Sequence, residues 1–302
     1  MKDRAKTDLN SLSDASQSEL ILNPDGSVYH LSLLPDDVAP IIILVGDPDR
    51  VSMVSRYFDE VTVRKTKREF ITHTGRIGKT FLSVISSGIG TDNIDIVMNE
   101  VDALFNVDLS TRLPKQDLRQ LTFIRIGTSG AIQRDIPLDS CVLGRYSLGL
   151  DAFTRLEISH TDDLSQKWYD ELLLFAEARG VSLKPAYMAF PDEGMFNILG
   201  EVGAHWITVT CAGFYGLQGR SIRLKSHADK LFQTLSDFEA YGLKAGNLEM
   251  ETSGIYLLAR MLGHRAISVN AIIANRILGK ISSDPYAVVD RLIQHTLRNL
   301  VA

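Results

Sequence analysis

Three stretches of the chain are apolar without the alternation of a half-wet strand. Residues 41–45 are apolar throughout, and residues 121–126 and 266–274 are nearly so, the pattern of strands covered on both faces. Further strands are predicted over 61–67, 70–74, 80–86, 141–146, 184–190 and 206–211. Helical spacing appears in between, with apolar residues three and four apart. Val51, Val54 and Phe58 carry it first, then Ile94, Val97, Met98, Val101, Leu104 and Phe105. It returns in Trp168, Leu172, Phe175 and Ala176, in Ile255, Leu258, Ala259 and Leu262, and in Val288, Leu292, Ile293 and Leu300. Strand and helix alternate, so the fold class is α/β. Residues 20–33 read as a hairpin around Asn23-Pro24-Asp25-Gly26, residues 108–120 as a loop, and residues 191–204 as an irregular insertion. With no internal repeat or linker, a single domain is expected over 19–302, behind a mobile polar tail at 1–18.

One of the apolar runs contradicts itself. Arg125 sits inside the 121–126 run, where an unpaired guanidinium loses several kcal/mol of hydration. Gly127-Thr128-Ser129-Gly130 follows at once and is expected to end the strand. Two readings stay open: Arg125 and Thr128 grip an anion where a parallel strand ends, or a buried carboxylate pairs with the arginine and closes a turn.

Composition narrows the field. A chain of 302 residues with 45% hydrophobic content holds one large α/β core or two modest ones. Net charge is −5 without a basic run, which gives a nucleic-acid or membrane partner no electrostatic support. Cys141 and Cys211 lie in apolar segments outside any metal or redox spacing, and residues 1–18 lack the apolar centre of a secretion signal. A cytoplasmic enzyme is the expectation.

Other segments carry chemistry that is weak singly. Gly46-Asp47-Pro48-Asp49-Arg50 follows a buried strand and opens a helix capped by Asp49, either an anion site or an ordinary strand–turn–helix. Ser87-Gly88-Ile89-Gly90 leads into a second helix start, capped by Thr91 or Asp92. Phe214, Gln218 and Arg220 combine a flat apolar face with an amide and a guanidinium, a set that suits a planar heterocycle with carbonyl and N–H edges. Glu249-Met250-Glu251 places two carboxylates at a helix entry, for capping or for a vicinal diol. His30 and Arg68 are locally unremarkable.

Taken together and in this order, these pieces resemble the nucleoside phosphorylases of the uridine phosphorylase type, over nearly the whole chain after residue 28. The resemblance implies a three-layer α/β/α fold around a mixed, partly barrel-like sheet, and reversible phosphorolysis of a nucleoside to free base and ribose 1-phosphate. It implies phosphate on Gly46, Arg50, Arg125 and Thr128, with Arg68 entering from a neighbouring subunit. It implies ribose on Met250 and Glu251, with the neighbour's His30 near the 5′-hydroxyl, and base on Phe214, Gln218 and Arg220. The substrate anion would then be the partner of the buried arginine, with Arg125, Arg220 and Gln218 as the catalytic set.

A homo-oligomer, dimer or hexamer, with shared sites is implied. No cofactor or structural metal is expected beyond phosphate as co-substrate, although relatives place a monovalent cation near Glu69. Ala274-Asn275-Arg276 stands where purine-type relatives carry an aspartate, which favours uridine. The rivals are a nucleosidase or purine-type phosphorylase of the same fold, and a nucleoside-binding protein without turnover. A nucleosidase has little use for three arginines on one anion.

Overall fold

The computed structural model describes residues 17–156 and 162–301. Residues 1–16 of the expected mobile tail lie outside the described residues. The strands are β1 (Ile41–Val45), β2 (Glu60–Lys67), β3 (Phe70–Ile77), β4 (Thr80–Ser86), β5 (Val107–Asp108), β6 (Leu113–Pro114) and β7 (Thr122–Ala131). They continue with β8 (Cys141–Leu150), β9 (Tyr187–Ala189), β10 (Ala204–Cys211), β11 (Glu239–Ala240), β12 (Leu243–Glu249), β13 (Arg265–Asn275) and β14 (Lys280–Ile281). The helices are α1 (Pro48–Ser55), α2 (Thr91–Asn106), α3 (Asp163–Ala178), α4 (Glu193–Leu199), α5 (Asp229–Asp237), α6 (Thr252–Met261) and α7 (Pro285–Val301).

The layering follows from the two-residue period of the central strands. Ile42 and Leu44 of β1, with Phe123 of β7, pack on α2 and α6. Ile43 and Val45, with Ile124 and Ile126, pack on α1, α4 and α7. Each such side chain, once fully buried, contributes roughly 1.5–3 kcal/mol. Successive residues of one strand therefore feed two separate cores, which is why no alternation is visible in the sequence. β1 lies between β4 and β7, parallel to both. The sheet runs β11-β12-β10-β8-β13-β7-β1-β4-β3-β2, and an added β12–β7 pairing closes β12, β10, β8, β13 and β7 into a five-stranded ring. The mixed, partly barrel-like α/β architecture is the one expected.

Several local expectations need correction. β7 does not end at Ile126: it continues through Gly127-Thr128-Ser129-Gly130 to Ala131, because β13 pairs with it there and β12 takes its far end. Residues 20–33 form no hairpin but a single bridge, Leu22 to Val28, whose turn is held by the Asn23 side chain. Ser32, at φ 55°, then reverses the chain. The 191–204 segment contains α4, capped by Asp192 through the Met195 N–H at 2.9 Å, and the 108–120 loop contains β6 and the Asp108 end of β5, which pair with each other. Asp47 rather than Asp49 caps α1, and that helix stops before Phe58. Gly90 occupies the N-cap of α2, so Thr91 and Asp92 lie inside the helix. No helix among the described residues is long and apolar enough to cross a membrane.

Candidate active site

The C-terminal ends of β1 and β7, the entry to α6 and the loop after β10 surround one cavity of about 760 Å³. Nine of the eleven residues singled out in the sequence line it: Gly46, Arg50, Arg125, Thr128, Phe214, Gln218, Arg220, Met250 and Glu251. They come from distant segments, and the topology alone brings them together.

Arg125 leaves β7 on the same face as Phe123 and is buried. Its Nη2 lies 2.5 Å from Glu251 Oε2 and 3.2 Å from Glu249 Oε2, while Nη1 donates to Asn270 Oδ1 at 2.5 Å. The expectation that a substrate anion alone satisfies this arginine is therefore corrected. Two carboxylates do, because a guanidinium this deep needs permanent counter-charge for the chain to fold. Of the two open readings the geometry shows the carboxylate pairing, and the paired arginine also lines the cavity. Burial works against the Arg125 charge, but Glu249 and Glu251 outweigh it and hold the group above its usual range. Glu251 is pushed up by burial, and the single guanidinium shared with Glu249 does not fully reverse that.

The neighbours of this cluster are fixed by backbone. Glu251 Oε1 accepts from the Gly90 N–H at 2.6 Å, tying the start of α2 to that of α6. Glu249 Oε2 accepts from the N–H groups of Glu251 and Thr252 at 2.9 Å, and Oε1 from Thr210 at 2.5 Å. Thr210 in turn receives the Ser253 N–H, and Ser253 Oγ donates to Asp151, a carboxyl raised chiefly by burial. Arg50 donates to the Ile126 carbonyl at 3.3 Å, and burial, then the Arg125 charge, lower it from its usual value. Two guanidinium groups thus approach closely enough to repel, which an anion between them would relieve.

Gly127 makes the arrangement possible. A Cβ at this position would stand 1.8 Å from Arg125 Nη1 and 2.7 Å from Asn270 Oδ1, so the guanidinium lies directly across the glycine.

Around the loop after β10, Arg220 sits 3.9 Å over the Phe214 ring. Its Nη1 donates to Phe214 O at 2.5 Å and to Gln218 Oε1 at 2.7 Å. With Oε1 engaged by a donor, the Gln218 amide presents its N–H₂ and one remaining lone pair. Arg276 lies nearby; burial and then the Arg220 charge lower it to about 10, and its buried Nη1 has no hydrogen-bond partner among the described residues.

Two predicted residues do not line the cavity. His30 Nδ1 is 2.6 Å from Glu100 Oε1, and Glu100 also accepts the backbone N–H groups of His30 and Leu31. Arg68, at φ 55°, lies 5.7 Å over the Tyr29 ring, so it and His30 form a separate cluster. Glu69 lines the cavity, but its Oε1 meets the Asn93 amide nitrogen at 3.4 Å. The sequence reading missed Asn270 and the rim residue Ile281. Asn270 had a signal, being a polar residue inside an apolar strand like Arg125; Ile281 had none.

A family model, the phosphorylase superfamily, matches residues 40–296. A uridine phosphorylase of Thermococcus kodakarensis is 30% identical over 257 residues, covering 84% of this chain and 79% of its own. A DeoD-type purine nucleoside phosphorylase of Bacillus cereus is 28% identical over 242 residues, with coverages of 80% and 83%. Among solved structures, a Trypanosoma brucei nucleoside phosphorylase described as showing uridine phosphorylase activity superposes with a TM-score of 0.82 at 26% identity, over 93% of this chain and 99% of its own.

Proposed function

The chain belongs to the phosphorylase superfamily, and on that premise we propose that it cleaves uridine with inorganic phosphate to uracil and ribose 1-phosphate. The observation that carries the reading is the single cavity shared by two guanidinium groups, a carboxylate and the Phe214–Gln218–Arg220 set. Phosphate would lie against Gly46, Arg50, Arg125 and Thr128. The Arg125 Nε–H and second Nη1 hydrogen, which no described residue accepts, would face it. Glu251 and Met250 would hold the ribose, a carboxylate being able to accept from two vicinal hydroxyls. His30 and Arg68, grouped away from the cavity, would serve a second subunit's site.

The chemistry follows from where charge develops. As the bond from the anomeric carbon to uracil N1 breaks, the ribose becomes positive and the base negative. Phosphate supports the ribose charge and then bonds to the anomeric carbon, while the electron pair leaves with uracil, whose N1 afterwards takes a proton. Gln218 and Arg220, with Arg276 behind them, would stabilise the leaving anion, a preorganised set of donors beside the base. The purine alternative lacks its acid. Asn275 is buried, and its amide donates to the carbonyls of Gln133 and Ile136 at 2.9 Å each, away from any substrate.

The test is a panel of uridine, thymidine and inosine with and without phosphate. Uracil release that requires phosphate, with inosine at least ~100-fold poorer in kcat/KM, is expected from a site that matches the pyrimidine edge. Phosphate-independent release makes the protein a nucleosidase, and preference for inosine overturns the base assignment. In the same assay Gly127→Ala should raise the phosphate KM by ~10-fold or more, about 1.4 kcal/mol, because the new methyl evicts the guanidinium. An unchanged phosphate KM would refute the placement of that anion on Arg125.

A further inference from the structure

A second cavity, about 1160 Å³ and larger than the first, lies behind the loop that carries Phe214 and Gln218. Its walls hold Arg220, Arg223, Lys225, His227 and Lys230, and no aspartate or glutamate. Among the described residues Arg223, Lys225 and Lys230 make no ion pair, in a chain whose net charge is negative. The cations are interleaved with apolar groups: Ile222 is 78% and Leu224 81% exposed, and Leu217 and the Tyr215 ring continue the wall. Uncompensated positive charge beside apolar surface and an aromatic face matches an anion with a flat, poorly hydrated body. The volume exceeds what a nucleoside fills.

We propose that this cavity binds a nucleotide, an organic phosphate with a heterocycle, and that its occupancy is felt in the substrate cavity. The coupling lies in the short turn Gly216–Gln218. Gly216 and Leu217 line the basic cavity, Gln218 lines the substrate cavity, and Arg220 lines both. Ser226 Oγ donates to Gly216 O at 2.6 Å, so the basic segment is stitched to that turn. A ligand that orders residues 222–225 therefore also restrains the residues facing the base. The coupling rests on the uridine reading given above; the binding does not.

The probe is ATP, titrated calorimetrically into the full chain and into Lys225→Glu/Lys230→Glu, two exposed positions outside the substrate cavity. Saturable binding of one ATP per protomer is expected, weakened at least ~10-fold in the double variant with its melting temperature unchanged. Smaller weakening, or no saturable binding at millimolar ATP, overturns the proposal. Tripolyphosphate is the second probe, and binding as tight as that of ATP overturns the nucleotide assignment by showing that the apolar wall contributes nothing. In the kinetic arm, saturating ATP should shift the uridine KM at least ~3-fold in the natural chain and not in the double variant, and an unmoved KM overturns the coupling. Should the chain fail to turn over uridine at all, the binding arm still reads out, so the two ideas fail separately.

Discussion

Arg125→Ala is expected to lose phosphorolysis by at least ~10³ in kcat/KM and also to destabilise the fold. The first effect follows from removing the donors and charge aimed at the phosphate in a dry site, where even one such donor is worth about 10²–10³. The second follows from the structure and not from the sequence, because Glu249 and Glu251 both lie against this one guanidinium. Breaking a buried pair by deleting one partner costs about 3–5 kcal/mol. Protonation of Glu251, a carboxyl that burial already raises, would limit the loss. With typical domain stability of about 5–15 kcal/mol, the variant should still fold at room temperature but melt roughly 10 °C lower.

A second substitution separates the two roles. Arg125→Ala/Glu249→Gln removes one of the stranded charges and leaves the ribose carboxylate in place, so its melting temperature should rise above that of the single variant while activity stays lost. If the double variant recovers phosphorolysis along with stability, Arg125 is only a structural counter-ion. Arg125→Lys should be nearly as inactive. An ammonium is a compact point charge and cannot reach Asn270, two carboxylates and an anion from one planar fork. Turnover by Arg125→Ala within tenfold of the natural chain would remove the phosphate site from this end of the cavity.

How much of this was legible in the chain depended on whether hydrophobicity carried the information. β1 and the first half of β7 were readable because both faces meet apolar helices. β12 was not, although it closes the barrel. Its Asn247 and Glu249 point into polar company: Thr208 donates to Asn247, Asn247 donates to Ser129, and Thr210 donates to Glu249. A strand satisfied by hydrogen bonds shows no apolar period, so the sequence predicts no strand over residues 243–249. The same polar interior hid the continuation of β7 past Gly127. α4 and α5 are seven and nine residues long, too short for a spacing pattern to stand out.

The cavity residues were legible as types and order, through resemblance, but the second role of Glu249 and Glu251 was not. Charge pairing across 126 residues of chain leaves no local trace. Nor does a missing Cβ at Gly127 announce which side chain lies over it.

Gln218→Ala should damage choice of base more than fold. The residue is buried, and among the described residues its one side-chain hydrogen bond is the acceptance from Arg220 at 2.7 Å. Its amide hydrogens are thus left for the ligand, with a second lone pair on Oε1 for an N–H of the base. Uracil offers that complement, an N–H between two carbonyls, whereas hypoxanthine places its edge differently across a wider ring system. Removing the amide should lower kcat/KM for uridine by ~10²–10³ and change inosine little, since interactions specific to one edge discriminate most strongly when left unpaired. Arg220 would remain over Phe214, held by the Phe214 carbonyl, so the loop itself has a reason to persist. Gln218→Glu should be at least as inactive. Its carboxylate would neutralise Arg220 and present acceptors only, opposing the negative charge that grows on the departing base. A ratio of uridine to inosine kcat/KM that stays at the natural value in both variants would take base recognition away from this turn and leave Arg276, with its buried Nη1 unpaired among the described residues, as the group to examine next.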